Sequence, residues 1–321
     1  MDLSTPRPGA PLARTADLDG PVSWVDHGGP DDGQLVVAVH GLGGSHANWH
    51  DLAPLLAREH RVVAVDLAGH GRTPRAGRSA AVPANCELLG RFLAHVDDRP
   101  AVLMGNSMGG ALSLLHAAAH PASVAGLALI GPALPRSALP SRALARQVAL
   151  FAVPGLAERS LARRRLRLGA EAFVQATLEL TCSDPSSVSP EVRLLAVQMA
   201  IERSLDPDAD AAFLEAARSL AVLVARAARY RALIASVQVP GIVLQGVEDR
   251  LVPAAGTAML GELQPGWPVH LLDGVGHVPQ IEAPERTAAL VLPFLADLGR
   301  TSTRSRVVDL TSGNDLLAAT G

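Results

Sequence analysis

The 321-residue sequence contains no lysine, and all 28 of its basic residues are arginine. This absence excludes enzymes that form a Schiff base on lysine and nucleotide-binding P-loops, because both require that side chain. Aromatic residues make up only 3% of the chain, which disfavours the stacking platforms that bind polysaccharides or nucleic acids. A formal net charge of −3 also disfavours a nucleic-acid partner, because such proteins are usually basic.

Cysteine and long apolar runs are scarce as well. The two cysteines, Cys86 and Cys182, are far apart and form no CxxC pattern, which favours a reducing compartment over a disulfide or metal framework. No apolar run reaches about 18 residues without a charge or a helix breaker, so no stable membrane insertion is expected. The N-terminal segment lacks the apolar core of a secretory signal. These features together predict a cytoplasmic protein.

What the sequence does contain is an alternation of short apolar runs and helical patterns. Most of the runs are apolar throughout, as expected for parallel strands that are buried on both faces. This alternation predicts an α/β fold with a mostly parallel, doubly wound sheet. The predicted strands are 34–41, 60–67, 100–107, 124–132, 239–246 and 267–274, and the predicted helices are 48–59, 84–97, 107–120, 254–264 and 283–298.

The alternation is interrupted in the middle of the chain by a long stretch rich in Ala, Leu and Arg. This stretch predicts several helices and no strand, and the strand pattern returns after it. We therefore interpret the stretch as a helical cap inserted into the core. The predicted organisation is a disordered leader (1–20), an α/β core (21–132 and 237–300), a helical cap (133–236) and a flexible tail (301–321).

A serine stands between two glycines at the junction of a predicted strand and a predicted helix. The stretch GNSMGG forces a sharp turn with Ser107 at its apex, in a strained backbone conformation. Gly105 and Gly109 are needed because side chains at these positions would collide within the turn. The turn presents the Ser107 hydroxyl at the carboxyl edge of the sheet, where α/β proteins bind ligands. By itself the stretch also fits a helix N-cap beside packing glycines. Whether Ser107 is a nucleophile therefore depends on whether the chain also supplies a base and an acid.

A nucleophilic serine needs a base, and the base needs an acid to orient it. His277 follows the last predicted strand and is the candidate base. Asp249 follows the preceding strand and is the candidate acid, with the adjacent Glu248 as second choice. The chain order serine, aspartate, histidine is a known order of a catalytic triad.

Acyl transfer also requires donors for the oxygen that becomes negatively charged. One candidate donor is the backbone N–H of Met108, directly after the serine, and the other is the N–H of Leu42. Gly41 and Gly43 leave the main chain around Leu42 accessible, and His40 is expected to organise this loop through hydrogen bonds.

Two further histidines follow this loop. With His40, they make a metal site of three histidines, His40, His46 and His50, conceivable at first sight, but no Cys or carboxylate stands at ligand spacing on one face. We therefore expect neither a metal nor another cofactor.

Five motifs together resemble the α/β-hydrolase superfamily. The resemblance implies a core sheet of about eight strands, the first few antiparallel, with a helical cap inserted after the sixth and a Ser-Asp-His triad of esterase or lipase type. The motifs are HGLGG (40–44), DLAGHGRT (66–73), GNSMGG (105–110), GVEDRLVP (246–253) and GVGHVPQIEAPE (274–285).

A more distant resemblance connects the chain to enzymes that hydrolyse carbon–carbon bonds in meta-cleavage products. It rests on GNSMGG followed by LIGPA (129–133). Those enzymes usually carry a tryptophan directly after the catalytic histidine, where this chain has Val278.

The sequence therefore predicts a serine hydrolase with an acyl-enzyme on Ser107. The expected partner is a small-to-medium acyl substrate, most simply a carboxylic ester, and not a nucleic acid. Three alternatives stay open: a carbon–carbon bond hydrolase, an acyltransferase, and a non-catalytic ligand-binding protein on the same scaffold.

Overall fold

The computed structural model describes residues 11–135 and 156–311. Its eight strands are β1 (Leu12–Asp17), β2 (Pro21–Asp26), β3 (Leu35–Val39), β4 (Arg61–Val65), β5 (Ala101–Asn106), β6 (Val124–Ile130), β7 (Gly241–Gly246) and β8 (Val269–Leu272). They form one sheet in the order β1-β2-β4-β3-β5-β6-β7-β8. Strands β3 to β8 pair in parallel, whereas β1 pairs antiparallel with β2, and β2 with β4. The predicted α/β fold and the antiparallel start implied by the resemblance are confirmed.

Helices cover both faces of this sheet. They are α1 (Leu52–Leu56), α2 (Val82–Val96), α3 (Met108–Ala119), α4 (Leu156–Thr181), α5 (Pro190–Ser204), α6 (Ala209–Ala225), α7 (Ala227–Ala235), α8 (Thr257–Leu263), α9 (Pro279–Glu282) and α10 (Pro284–Thr311). Helix α4 is interrupted at Gly169, whose φ of 71° is not helical. In the described ranges no helix combines the length and the apolarity that crossing a lipid bilayer requires.

Side chains along the parallel strands alternate between two apolar layers. In β3, Val37 and Val39 belong to the layer that includes α2 and α3. Val36 and Ala38 belong to the opposite layer, which includes α1 and α10. Because both faces are covered by helices, every position of the strand is buried, and this explains the uninterrupted apolar runs in the sequence.

The prediction of a disordered leader over residues 1–20 is wrong for part of its length. Strand β1 lies inside this range and pairs with β2 over all six of its residues, from Leu12 opposite Asp26 to Asp17 opposite Pro21. The side chains of β1 are almost all exposed, so the strand is held by backbone hydrogen bonds and carries no apolar pattern that the sequence could reveal.

The predicted tail is also partly structured. Helix α10 continues beyond 300 to Thr311. No glycine or proline lies between Arg300 and Ser312, so the backbone contains no signal that would end the helix earlier. Residues 312–321 lie outside the described residues.

The described chain between β6 and β7 contains helices and turns and no strand. Helix α5 is joined to the core by a bidentate ion pair, in which Glu202 accepts from Arg72 at 2.9 and 3.0 Å. Helix α7 is joined to the segment that follows β6 by the buried Tyr230, whose hydroxyl donates to the carbonyl of Ala133 at 2.9 Å. The bounds of the predicted cap, 133–236, stay a prediction, and 136–155 lie outside the described residues.

Helix α3 approaches β3 so closely that no side chain fits between them. A Cβ at Gly109 would lie 2.0 Å from the carbonyl oxygen of Val39, which is a backbone atom. We expect Gly109→Ala to lower the free energy of unfolding by about 2–3 kcal/mol, measured by urea unfolding. The control is Gly261→Ala in α8, where a Cβ meets no atom within 4 Å. This change is expected to stabilise the protein by about 0.5–1 kcal/mol, and equal effects of the two variants would contradict the argument.

Several buried histidines make stability depend on pH, among them His27 and His40. Burial lowers the pKa of His27 and of His40 to about 4. Unfolded histidine has a pKa of about 6.5, so between these values the unfolded state binds protons that the folded state does not. We therefore expect the free energy of unfolding to fall by about 1 kcal/mol per histidine for each unit that the pH drops from 6.5 towards 4.

The measurement is urea unfolding at several pH values across that window. Replacing one of the two groups, as in His27→Gln, should remove about half of the slope that they produce together. A slope that is unchanged in this variant would contradict the assignment.

Candidate active site

Ser107 sits at the apex of a strained turn between β5 and α3. Its φ of 52° and ψ of −114° are rare for a residue with a side chain. Hydrogen bonds hold the strained residue from both sides: its N–H donates to the carbonyl of Ile130 at 3.1 Å, and its carbonyl accepts from Ala111 and Ala133 at 3.1 and 3.0 Å. The predicted strained turn is thus present, and the surrounding backbone keeps Ser107 in it.

The glycines beside Ser107 are required by close backbone contacts. A Cβ at Gly105 would lie 2.5 Å from the carbonyl oxygen of Gly109. At Gly110 a Cβ would lie 2.8 Å from the Cβ of Pro132. Together with the contact of Gly109 with β3, these distances confirm the steric reason for the GNSMGG pattern.

The candidate base and acid form a buried pair. His277 Nδ1 lies 2.7 Å from Asp249 Oδ2. Because an ionised carboxylate only accepts, Nδ1 is the donor and Nε2 is the ring nitrogen left for a substrate or for Ser107. The His277 N–H donates to the carbonyl of Thr181, at the end of α4, at 2.6 Å. Glu248, the second choice for the acid, is exposed.

Four donors converge on the carboxylate of Asp249. The N–H groups of Leu251 and Val252 donate to Oδ1, each at 2.8 Å. Oδ2 accepts from His277 and from Gln245 Nε2, which lies at 2.8 Å. A carboxylate out of water needs such partners. Gln245 was not identified from the sequence, although it is a polar residue in the otherwise apolar stretch GIVLQG.

A side-chain amide joins the serine turn to the histidine loop. Asn106 Nδ2 donates to the carbonyls of Ile130 at 2.9 Å and His277 at 3.2 Å. Asn106 was also missed, although a polar residue at the end of the buried strand β5 is a signal of this kind. No direct hydrogen bond joins Ser107 Oγ to His277 within the described part of the chain, as is frequent in sites without substrate.

The loop that carries Leu42 lies directly against the serine turn. A Cβ at Gly41 would lie 3.1 Å from the Cβ of Ser107. Gly43 has a φ of 75°, which glycine adopts without strain. Met108 is the first residue of α3, so its N–H has no acceptor within the helix. The structure thus places both candidate oxyanion donors in segments beside Ser107, and their role stays a prediction.

His40 joins the loop that carries Leu42 to the segment after β4. Its Nδ1 donates to the carbonyl of Gly41 at 2.7 Å, and its Nε2 accepts from the N–H of Leu67 at 3.1 Å. Accepting at Nε2 requires a neutral ring, and the lowered pKa of His40 that results from burial agrees with that.

His46 forms a second buried pair, with Asp66. Asp66 accepts from His46 Nδ1 at 2.9 Å, from the His46 N–H at 2.6 Å and from the Arg72 N–H at 2.8 Å. Burial raises the pKa of Asp66, but the hydrogen bond and the charge of His46 outweigh it and hold that pKa below its ordinary value. Across 11–135 and 156–311, no three His, Cys, Asp or Glu side chains are grouped as metal ligands would be.

Glu282 connects the histidine loop to the end of α4. Its carboxylate accepts from the N–H groups of Ser183 at 2.7 Å, Gly276 at 2.9 Å and Val278 at 3.4 Å. Burial raises the pKa of this carboxyl group. The side chain therefore fixes the backbone on both sides of His277, a role that its place in GVGHVPQIEAPE did not reveal.

Two proteins of known sequence and one solved structure are examples of what this chain is similar to. It is 32% identical over 288 residues to the dihydrolipoyllysine-residue acetyltransferase component of the acetoin cleaving system of Pseudomonas putida, which covers 89% of this chain and 70% of the relative. It is 28% identical to the human monoglyceride lipase, over 82% of this chain and 81% of the relative. A haloalkane dehalogenase variant from Bradyrhizobium elkanii superposes with a TM-score of 0.74 at 21% identity, covering 92% and 99% of the two chains, and shows the fold alone.

The family model described as alpha/beta hydrolase fold matches residues 34–284. This range contains every candidate residue, from His40 to His277, and the six strands β3 to β8, which form the parallel part of the sheet. The match extends over well more than half of the chain. The chain therefore belongs to the alpha/beta hydrolase fold family.

Proposed function

We propose that this protein is a serine hydrolase that cleaves a small-to-medium acyl substrate, most simply a carboxylic ester, through an acyl-enzyme on Ser107. One observation carries the proposal: a serine in a strained turn shares the carboxyl edge of the sheet with a buried histidine–aspartate pair at 2.7 Å. Separate parts of the chain supply these groups, and Asn106 joins them.

The proposed reaction follows from the roles these groups can take. Ser107 Oγ attacks the substrate carbonyl carbon while His277 Nε2 accepts the hydroxyl proton, and Asp249 stabilises the resulting imidazolium. The N–H groups of Leu42 and Met108 donate to the oxyanion. His277 then returns the proton to the leaving group, and water releases the acyl group from Ser107 by the same route. Every step uses groups of this chain and needs no cofactor.

Acyl transfer to an acceptor other than water is the second candidate. The relative from Pseudomonas putida, at 32% identity, is named as an acetyltransferase component, and that name favours this candidate. The two reactions share the acyl-enzyme and differ in the group that attacks it. Adding alcohols or a dithiol such as dihydrolipoamide to the assay distinguishes them, because transfer yields a new ester or thioester and hydrolysis yields the free acid.

The first test is the hydrolysis of p-nitrophenyl esters of graded acyl length by the wild type and by Ser107→Ala. We expect the variant to lose activity by about 10⁴-fold or more, because the serine is the attacking group. Its circular dichroism and thermal unfolding should match those of the wild type, and a fluorophosphonate should label only the wild type. Appreciable turnover by a folded Ser107→Ala protein would refute the proposal.

The second test compares the two adjacent acids. Asp249→Asn is expected to lower kcat by about 10⁴-fold, because a carboxamide no longer holds His277 in the required tautomer. Glu248→Gln is the matched control: the side chain is exposed, and its removal should change kcat by less than about twofold. Equal losses in both variants, or the larger loss in the Glu248 variant, would show that the acid is wrongly assigned.

A further inference from the structure

Gln245 is a fully buried polar residue for which the reaction above has no use. It lies in β7 four residues before Asp249, and its side chain has no exposed surface. Burying a carboxamide out of contact with water is unfavourable unless its polar atoms are hydrogen bonded. Its contacts therefore show what the residue does in this position.

The orientation of this carboxamide is fixed by its neighbours. Nε2 lies 2.8 Å from Asp249 Oδ2, 3.0 Å from the carbonyl oxygen of Val252 and 3.3 Å from that of Gly246. All three neighbours only accept, so the NH₂ end must face them. In this orientation Oε1 is buried and has no hydrogen-bond partner in the described structure.

We infer that Gln245 is a positioning residue that sets the basicity of His277 through Asp249, an inference that rests on the proposed function. Both Gln245 and His277 donate to the same oxygen, Oδ2. The Gln245 N–H is neutral. By hydrogen bonding to Oδ2 it weakens the attraction between this oxygen and a protonated His277 without adding a charge of its own. It also fixes the direction in which Oδ2 faces the imidazole ring.

The direction of the effect follows from the charges. The carboxylate favours protonated His277, and removing the Gln245 donor leaves more of its charge facing the ring. His277 then holds its proton to a higher pH. Because the neutral ring is the form that accepts the serine proton, the acid limb of kcat/KM should move to higher pH in a variant without the donor.

The other titratable groups around the pair are the same in every Gln245 variant. Among the described residues these groups include Glu248 and Arg250 in the loop of Asp249, and Glu282 on α9 and Cys182 after α4, which lie against the backbone of the His277 loop. Burial raises the pKa of Cys182 to about 12, so the thiol is neutral throughout the range of the assay. A difference between the variants therefore reports on Gln245.

The experiment measures kcat/KM against pH for Gln245→Met, which removes the donor at similar size. We expect the acid limb to move up by about half to one pH unit in the methionine variant, with kcat about tenfold lower. Gln245→Leu is a second donor-free variant for the case that the methionine variant does not fold.

The matched control is Gln264→Met. Gln264 Nε2 also donates to two carbonyls, of Ile234 at 2.7 Å and of Val237 at 3.0 Å, but lies away from the pair. This variant is expected to lose stability and to keep the wild-type acid limb. If the Gln245 variants behave in the same way, Gln245 is only structural and the inference is overturned.

A second measurement separates this inference from the proposed function. The His277 ring is titrated by NMR, with its signal assigned from a His277→Ala spectrum, and this needs no substrate. A wild type without turnover or fluorophosphonate labelling would refute the proposed function, while the NMR titration would still test Gln245. Turnover that depends on Ser107, together with His277 titrations that coincide in wild type and variants, would overturn the inference alone.

Discussion

The absence of room for side chains around Ser107 is the constraint on which the rest of the site depends. The start of α3, the end of β3 and the segment after β6 meet at this point, and added Cβ atoms at Gly105, Gly109 and Gly110 would all lie within 2.8 Å of other atoms. Such close backbone contact keeps the strained serine in place, because a relaxed conformation would have to displace the sheet or the helix. The position of the hydroxyl is thus determined by the core.

The buried pair of His277 and Asp249 imposes a second requirement, which concerns hydrogen bonding rather than space. The carboxylate lies out of contact with water, so the protein itself must supply its partners. Two of them come from the backbone that follows Asp249 and one from Gln245 within β7. The fourth partner is His277. The hydrogen bond that helps to stabilise the buried carboxylate therefore also orients the proposed base.

Much of this architecture could be predicted from the sequence because its signals are local. The apolar runs of β3 to β7 reflect burial on both faces, and the glycines around Ser107 reflect contacts within one turn. Strand β1 carries no such signal because its side chains are mostly exposed. Asn106 and Glu282 were missed for a different reason: they bind groups that only the folded chain brings near, such as the carbonyl of His277, 171 positions from Asn106, and the N–H of Ser183, 99 positions from Glu282. Gln245 binds groups within seven positions, but the sequence does not show that the turn after β7 brings them to its side chain.

The junction between α4 and the histidine loop has a consequence for substrate entry. The carbonyl of Thr181 accepts from the His277 N–H, and Glu282 binds the N–H groups of Ser183 and Gly276. This end of the helical region therefore cannot swing away from the core without displacing the proposed base. Opening at this junction would also displace His277, so a route to Ser107 that leaves the proposed base in place must run elsewhere.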